Sequence, residues 1–366
     1  MINLKFFPSR HMAFYMVRLF VTRSLAVLVA LVLILMTLDL LGESGKILAV
    51  PGNGDAELWH YVGLRLPLLV SRFLPFSVLL GALIAFVGLN QHSEVVAMKA
   101  AGLSAHQILA PLILASIVIS GGLFLFNETV VVNSARAVTA WSDNDYKPVP
   151  PESGILSNVW LLNGDDLVRA RLVGGSGARF HAEGVTIYNR SDGILRQLIQ
   201  ADRAVPAGNA EWRLTGVRIY DASMNVVRRV PEMVDMTGVT PSQLTLAKVD
   251  PNELDYWTLK DRIAELEAAG RPADEARAGL AHKVSGPLST LLMPLLAAVA
   301  AFGLARSGQV LLRACLGMGL GFAYFVADNF SLAMGNAGAY PPMIAAWAPF
   351  ILFLLIGETV LVRTEE

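Results

Sequence analysis

Three ionisable side chains, Asp39, Arg72 and Asp328, lie within long apolar stretches of the sequence. If these stretches cross a bilayer, a charge at the centre costs roughly 2.5–3.5 kcal/mol, so such residues usually pair with one another or face a wet cavity. All three lie at a similar depth, which makes them candidates for a lipid-headgroup site or a gate. Three interpretations of Arg72 stay open: an ion pair with one of the acids beside a lateral opening, contact with a lipid phosphate, or snorkelling toward headgroups.

The sequence carries none of the common catalytic motifs. It has no Gly-x-x-x-x-Gly-Lys-Ser/Thr loop to cradle ATP phosphates, no His-Glu-x-x-His zinc pair and no Gly-x-Ser-x-Gly elbow. Its six histidines show no ligand spacing, and its single cysteine, Cys315, can form neither an internal disulfide nor a thiolate cluster. We therefore predict no catalytic residue, no metal site and no cofactor, so that a partner must supply energy for any work.

The charges are distributed very unevenly along the chain. Only 16% of the 366 residues are charged, whereas soluble proteins carry about 25%. Of the 59 charged residues, 38 fall between Glu128 and His282. The net charge of −1 also argues against a nucleic-acid partner. The composition therefore indicates two apolar flanks in contact with a lipid bilayer and a water-exposed middle.

Six segments have the roughly 20 apolar residues that a membrane-spanning helix requires. Three precede the charged middle and three follow it, which predicts an α-helical membrane protein with a 3+3 arrangement of spans. The segments cover about residues 18–41, 64–89, 105–126, 284–305, 309–334 and 342–362. The predicted domains are thus a first transmembrane half (1–127), an insert (128–272) and a second transmembrane half (273–366).

Lysine and arginine in short loops predict the orientation, because these residues are retained on the cytoplasmic side. If both termini are inside, the inner segments carry eight of them and the outer loops carry two, Lys46 and Arg65. The inner eight are Lys5, Arg10, Arg18, Arg23, Lys99, Arg306, Arg313 and Arg363. We therefore expect cytoplasmic N- and C-termini and an insert on the far side of the membrane.

The insert has the pattern of an antiparallel β domain. Six short alternating runs, at residues 158–162, 166–173, 184–190, 193–201, 211–221 and 226–234, are separated by turn residues. The turns Asn163-Gly164, Gly174-Gly175, Asp192-Gly193 and Gly208-Asn209 all suit positive φ. This spacing predicts a sandwich or jelly-roll-like domain, followed by a short amphipathic helix at about 255–268. Two alternatives stay open: a closed core, or a partly open sheet whose inward residues, such as Val168 and Ile187, hold acyl chains.

The loop between spans two and three has the signals of a short, capped helix at about 93–102. Ser93 is the predicted N-cap, and Gly102 fits the left-handed residue that ends a helix. Ser104 and Gln107 form a predicted capping box that opens span three. A short helix between two spans has the form of a docking element, although an interfacial helix resting on headgroups has the same pattern.

The loop and the second half of the chain resemble the lipopolysaccharide export permeases of the LptF/LptG (YjgP/YjgQ) family. The resemblance is carried by residues 73–108, 286–309, 317–338 and 341–357, and it extends over essentially the whole chain. Within the family, the Tyr324–Asn329 stretch and the end of span one that contains Asp39 resemble the LptG type.

The resemblance implies a permease of the bacterial inner membrane that works with a homologous LptF-like permease and a cytoplasmic ABC ATPase dimer. Together they would lift lipopolysaccharide from the membrane and pass it to a periplasmic bridge protein. The loop helix would be the coupling helix that meets the ATPase, with Ser93, Glu94, Val95 and Val96 in the family's Ser-Glu-Leu-Val position and Lys99 on the same helix. The insert would be the periplasmic jelly roll.

One departure from the LptG type concerns recognition of lipid A phosphates. Where lysines are expected near the outer end of span one, the sequence has Met36, Gly42 and Glu43, and only Lys46 is near. Two other classes of function also compete with an ATP-driven permease: an ion-coupled secondary transporter, which needs broken helices and midplane acids, and a membrane-anchored periplasmic scaffold. Co-purified partners would distinguish these classes.

Overall fold

The computed structural model of the chain describes residues 9–148, 156–175, 179–191, 193–208, 211–246, 249–268, 271–302 and 310–363. The first half contains helices α1 (Arg10–Leu48), α2 (Asp55–Gln91), α3 (Glu94–Ala100), α4 (Ala105–Phe126) and α5 (Val132–Asp143). A π-helix (Asn127–Val131) joins α4 to α5. After the sheet follow α6 (Pro241–Leu246), α7 (Tyr256–Ala268), α8 (Asp274–Phe302), α9 (Val310–Asn336) and α10 (Pro342–Arg363).

Six of the described helices are long and apolar enough to cross a membrane, which confirms the 3+3 prediction. Several extend beyond their predicted spans: α1 is 39 residues long, and span three continues through the π-helix to Asp143. Hydropathy identifies only the part of a helix that matches the hydrocarbon, whereas polar residues continue the helix beyond it. The predicted inner turn at 305–308, with Arg306, lies outside the described residues.

Small residues allow the spans to approach each other closely within the chain. A Cβ added to Gly81 would collide with Ser24 of α1, and one added to Gly317 or Gly321 would collide with leucine side chains of α2. These glycines therefore serve helix packing in the monomer. The main apolar core lies between α1, α2, α4, α8 and α10 and includes the fully buried Phe20 and Phe86.

The insert forms one six-stranded antiparallel sheet, which confirms the predicted β domain. The strands are β1 (Leu156–Asn163), β2 (Asp166–Gly174), β3 (His181–Ser191), β4 (Ile194–Gly208), β5 (Glu211–Asp221) and β6 (Val226–Asp235). They are hydrogen-bonded in chain order, so the described part of this jelly-roll-like domain is a meander. Gly164, Gly175, Gly193 and Gly208 all have positive φ, as the turns predict. Two turn residues, Asp192 and Asn209, lie outside the described residues.

The sheet bends along a line that crosses its central strands. Along β5 the buried residues change there from even-numbered positions, Trp212 and Leu214, to odd-numbered positions, Val217 and Ile219. Gly216 lies at this point with φ of 68°, where it allows the backbone to turn so that both stretches still face one core. Gly184 does the same in β3, with φ of 59°. The domain thus encloses a single core instead of having one flat apolar face.

A segment after β6 closes the open side of the bent sheet. The Trp212 indole donates a buried hydrogen bond to the Val239 carbonyl (2.7 Å), and the Asn163 amide donates to the Thr237 carbonyl (3.2 Å). Val239 and Leu244 are fully buried in the same core. Residues 236–246 therefore join the two ends of the meander.

Helix α7 confirms the predicted amphipathic helix and packs against the start of α8 through Leu259 and Ile263. Asp255 caps it by accepting hydrogen bonds from the Thr258 backbone and hydroxyl (3.0 and 2.7 Å). Burial raises the pKa of Asp255, but these hydrogen bonds outweigh it and leave that pKa below its ordinary value. The carboxylate therefore stays ionised and fixes the start of α7.

Candidate functional site: an exposed short helix and the polar clusters opposite it

Helix α3 is closed at its C-terminus as predicted but begins differently. Ser93 is the N-cap residue of α3, as predicted, but its backbone is left-handed (φ 58°) and its side chain makes no capping hydrogen bond, so the predicted side-chain cap is absent. The Ser93 carbonyl still accepts the first helical bond, from Ala97 (3.0 Å). At the other end Gly102 (φ 85°) lets Leu103 N–H reach the Met98 carbonyl (3.1 Å), a Schellman closure.

The capping box that opens α4 is present. Ser104 accepts a hydrogen bond from the Gln107 backbone (3.2 Å), and the Gln107 side chain accepts one from the Ser104 backbone (3.0 Å). Only Leu103 separates Gly102 from this box. Helix α3 is therefore held at a fixed angle to the start of span three.

The two faces of α3 differ sharply. Val95 and Met98 are buried in the main core, whereas the Val96 side chain is 66% exposed and Lys99 lies on the exposed face. The sequence predicts Val95 as part of a docking surface, but its side chain packs into the main core and anchors α3 to the spans. Glu94 is half-buried, and its carboxylate accepts a hydrogen bond from the Tyr15 hydroxyl of α1 (3.2 Å).

At the opposite end of the spans, Asp39 joins α1 to α2. The Arg65 guanidinium binds both carboxylate oxygens of Asp39 (3.0 Å each), and the Tyr61 hydroxyl donates to one of them (2.7 Å). Tyr61 and Arg65 are one helical turn apart, so both face the same acid. A bidentate pair of this kind fixes the rotation of one helix against the other.

A second polar cluster lies one turn further along α1. Glu43 accepts hydrogen bonds from the Tyr146 hydroxyl (2.6 Å) and the Lys46 ammonium (2.9 Å). Burial raises the pKa of the Tyr146 phenol, and the hydrogen bond to Glu43 adds to this effect, so the phenol stays a donor. Asn53 donates to the carbonyls of Ile47 and Tyr146 (3.0 and 3.1 Å). The outer cations of α1 and α2 are thus largely paired within the chain.

Arg72 differs from these residues. Its side chain is exposed, and it forms no ion pair within the part of the chain that the structure describes. The neighbouring Ser71 hydroxyl donates to Asn127 (2.6 Å), which places Arg72 level with the end of α4. The pairing of Arg72 with Asp39 or Asp328 is therefore wrong for this structure, and the two lipid-facing interpretations remain.

Asp328 lies on α9 facing α8. Its carboxylate is 3.9 Å from the nearest nitrogen of His282, a longer separation than a hydrogen bond. The other ring nitrogen of His282 lies 3.4 Å from the Ser285 hydroxyl. This loose arrangement joins α8 and α9 far more weakly than Asp39 and Arg65 join α1 and α2.

Val168 and Ile187 lie directly opposite each other on β2 and β3. They are 1% and 4% exposed within the closed core of the insert. The closed-core alternative thus describes this structure, and a groove lined by these two side chains exists only if the sheet opens.

Sequence reasoning missed the tyrosines of the outer clusters and the partner of Glu128. Tyr61 precedes Arg65 by four residues in an apolar helix, a spacing that marks one helix face. Glu128 is the first charged residue after span three, and it forms an ion pair with Lys283 of α8 (3.0 Å). No local pattern in the sequence connects these two positions, which are 155 residues apart.

Comparison with known proteins gives one consistent family. The family model for the lipopolysaccharide export system permease LptF/LptG matches residues 14–363. The chain is 26% identical over 350 residues to lipopolysaccharide export system permease protein LptG of Escherichia coli K12, covering 93% of this chain and 94% of that protein. It is 24% identical over 329 residues to the protein of the same name from Haemophilus influenzae, covering 86% and 89%. The chain therefore belongs to the LptF/LptG family of lipopolysaccharide export permeases.

Proposed function

We propose that this chain works as an LptG-type permease that extracts lipopolysaccharide from the bacterial inner membrane and passes it to a periplasmic bridge protein. Its partners are a homologous LptF-like permease and a cytoplasmic ABC ATPase dimer. The observation that carries the proposal is the family match, which extends over residues 14–363. The family is one of transporter permease subunits, so the chain contributes the path for the lipid and the ATPase supplies the energy.

The proposed orientation places both termini and α3 in the cytoplasm and the insert in the periplasm. The excess of lysine and arginine on the α3 side supports it. The α3 and insert ends of α4 are separated by 22 residues of helix, roughly 33 Å, which matches the thickness of a bilayer core.

The proposed ATPase contact is the exposed face of α3. Val96 supplies exposed apolar area and Lys99 a positive charge, while the Tyr15 hydroxyl holds the Glu94 carboxylate at the edge of that face. Val95 and Met98 pack into the main core, so force applied to α3 is passed to the spans. Short helices that dock by one face have this division between an anchored and an exposed side.

Phosphate groups of the lipid are proposed to meet Arg72 and Lys46. Arg72 is exposed and has no counter-ion among the residues that the structure describes, and exposed cations that lack a counter-ion favour lipid phosphates. The Lys46 side chain is 65% exposed, although Glu43 shares its charge. Arg65 neutralises Asp39, so the proposed role of Asp39 is to hold α1 and α2 together at the gate. The proposed role of Asp328 is to join α8 loosely to α9.

Acyl chains are proposed to pass through the insert by opening its sheet. Val168 and Ile187 would then line the path, since both side chains are buried in the core that opening would expose. Opening requires movement of residues 236–246, which close the domain through the hydrogen bonds of Trp212 and Asn163.

Affinity purification of the tagged chain from its native membrane tests the proposal. The expected result is co-purification of an ABC ATPase and a second, homologous permease, and ATP-dependent transfer of lipopolysaccharide to the bridge protein after reconstitution into vesicles. Purification as a lone protein whose transport follows an ion gradient would contradict it in favour of a secondary transporter. Recovery with periplasmic proteins alone would contradict it in favour of a scaffold.

A further inference from the structure

A buried ion pair lies where span three passes into the insert, and nothing in the proposed function uses it. Glu128 belongs to the π-helix Asn127–Val131. Its side chain is 14% exposed, and that of its partner Lys283 is 11% exposed. π-Helical turns occur mostly as single insertions in α-helices and are frequent at functional sites. A charge pair that is largely removed from water is also costly to assemble, so its presence is weak evidence for a role in stability alone.

The two oxygens of Glu128 bind two different elements. Oε1 accepts from the Lys283 ammonium of α8 (3.0 Å), and Oε2 accepts from the backbone N–H of Tyr256, the first residue of α7 (2.5 Å). Helix α7 belongs to the segment through which the chain leaves the insert, and α8 is span four. A single carboxylate therefore holds both the exit of the insert and the next span.

Neighbouring contacts extend the same junction to the entry of the insert. Arg136 of α5 donates two hydrogen bonds to the Glu253 carbonyl, just before α7 (2.8 and 3.2 Å). Ser71 of α2 donates to Asn127, the residue before Glu128 (2.6 Å). The chain that enters the insert and the chain that leaves it are thus joined to each other and to α2 and α8.

The junction lies at the far end of a continuous helical connection that begins next to α3. Helix α4 begins with its capping box directly after the Schellman closure of α3 and continues without a break to the π-helix. A displacement of α3 along or around this axis is therefore delivered at Glu128. Pro111 lies in the second turn of α4, where a proline removes one i→i−4 hydrogen bond of the helix; from there α4 continues without another proline to Phe126.

We infer that Glu128 is a positioning residue that couples the movement of span three to the insert and to span four, so that the ATP-driven cycle delivers lipid to the insert. This inference rests on the proposed function. Both oxygens are needed. The bond to Lys283 transmits the displacement of span three to α8, and the bond to the Tyr256 N–H transmits it to α7, where the chain leaves the insert.

The test uses the complete complex in vesicles and compares three variants. Lys283→Met removes the ammonium, and Glu128→Gln removes the carboxylate charge while keeping an acceptor for Tyr256. Arg277→Met is the matched control, because it lies on the same helix and breaks an exposed α7–α8 pair with Glu267. The measured quantities are the ATPase rate, lipopolysaccharide crosslinked to the spans, and lipopolysaccharide transferred to the bridge protein per ATP.

For Lys283→Met and Glu128→Gln we expect normal ATPase activity and normal crosslinking to the spans, with transfer per ATP lowered roughly five-fold or more, as for a lost coupling between sites. The control should match the native chain. A purely structural role would instead lower complex yield and ATPase activity together.

A single variant that leaves one of the two charges unpaired can fail to fold. The double variant Glu128→Gln/Lys283→Met therefore distinguishes a loss of coupling from a loss of folding. It removes both charges and is expected to assemble normally, yet to keep the same loss of transfer per ATP. Full transfer per ATP by the double variant would overturn the inference. Failure of the proposed function would look different, because the native complex itself would then transfer no lipopolysaccharide.

Discussion

The α3 end and the insert end of the membrane helices use their polar side chains in opposite ways. At the α3 end, Val96 and Lys99 lie on the exposed face of α3, and the contacts of Tyr15 with Glu94 and of His106 with Glu358 involve partly exposed side chains. At the insert end, Asp39 with Arg65 and Glu128 with Lys283 are satisfied within the chain. The first arrangement leaves a surface for a partner, and the second makes a rigid frame.

The physical reason for this difference lies in what each contact costs. Pairs at a protein surface contribute only about 0–1 kcal/mol, so an exposed helix can exchange its contacts for those of a partner. A partly buried pair cannot lose one member without leaving an unpaired charge, so it resists exchange. The comparison therefore predicts that substitutions at the α3 end alter association, whereas those at the insert end alter stability or coupling.

The largest effect is expected from Glu94→Lys. Reversing the charge at the edge of the α3 face should weaken retention of the ATPase by roughly thirty-fold, about 2 kcal/mol, because a charge that attracts the partner becomes one that repels it. Insertion and thermal stability should not change. Co-purification of the ATPase with the tagged chain measures the effect, and Glu232→Lys, an exposed acid of β6, is the control. Undiminished retention in Glu94→Lys would remove α3 as the docking element.

Asp39→Asn should show the opposite behaviour at the insert end. Asparagine can still accept from Tyr61 but leaves the half-buried Arg65 without a counter-ion, at a cost of about 2–3 kcal/mol. Lys46→Met breaks an exposed pair and should cost less than about 1 kcal/mol. Chemical unfolding in detergent measures both, while ATPase retention should be unchanged. Equal losses in the two variants would contradict the distinction between a frame and a surface.

Arg72→Gln sharpens the comparison, because Arg72 is the cation near the insert end that the frame does not use. Its loss leaves no partner unpaired in the described part of the chain, so the free energy of unfolding should change by less than about 0.5 kcal/mol. Lipopolysaccharide captured by a nearby photo-crosslinker should fall roughly five-fold, which corresponds to about 1 kcal/mol. Arg23→Gln, an exposed arginine near the other end of α1, is the control. Unchanged capture would assign Arg72 to snorkelling.

The smallest effect is expected from Tyr15→Phe. Removing one hydroxyl from a partly exposed hydrogen bond should weaken ATPase association by about 0.5–1 kcal/mol. In a double-mutant cycle with Glu94→Ala the two losses should not add, since each removes the same bond. Tyr340→Phe controls for the loss of an exposed hydroxyl. Additive losses would show that Tyr15 does not act through Glu94.

Local patterns in the sequence were sufficient for the elements that depend on neighbouring residues. The six spans follow from runs of apolar residues, the turns from glycines such as Gly164 and Gly193, and the start of α4 from the Ser104–Gln107 pair. Each of these depends on residues that are close in sequence, so no tertiary information was needed.

Contacts between distant segments were not predictable in the same way. The depth of a residue along a span follows from counting residues, but the rotation of the helix about its axis does not. This rotation determines that Asp39 binds Arg65 and not Arg72. Rotation also buries Val95 while exposing Val96. The left-handed backbone at Ser93 and the pairing of Glu128 with Lys283 likewise depend on how α2, α4 and α8 pack together.

Both coupling and delivery require that the two ends lie on opposite sides of the membrane, and cysteine labelling tests this most directly. Val96 of α3 and Val227 of β6 are 66% and 65% exposed, so they form a matched pair. Each is changed to cysteine in a Cys315→Ser background and treated in intact spheroplasts with a membrane-impermeant maleimide. The account predicts labelling of Val227→Cys at once and of Val96→Cys only after permeabilisation. Labelling of Val96→Cys in intact spheroplasts, with Val227→Cys protected, would contradict it.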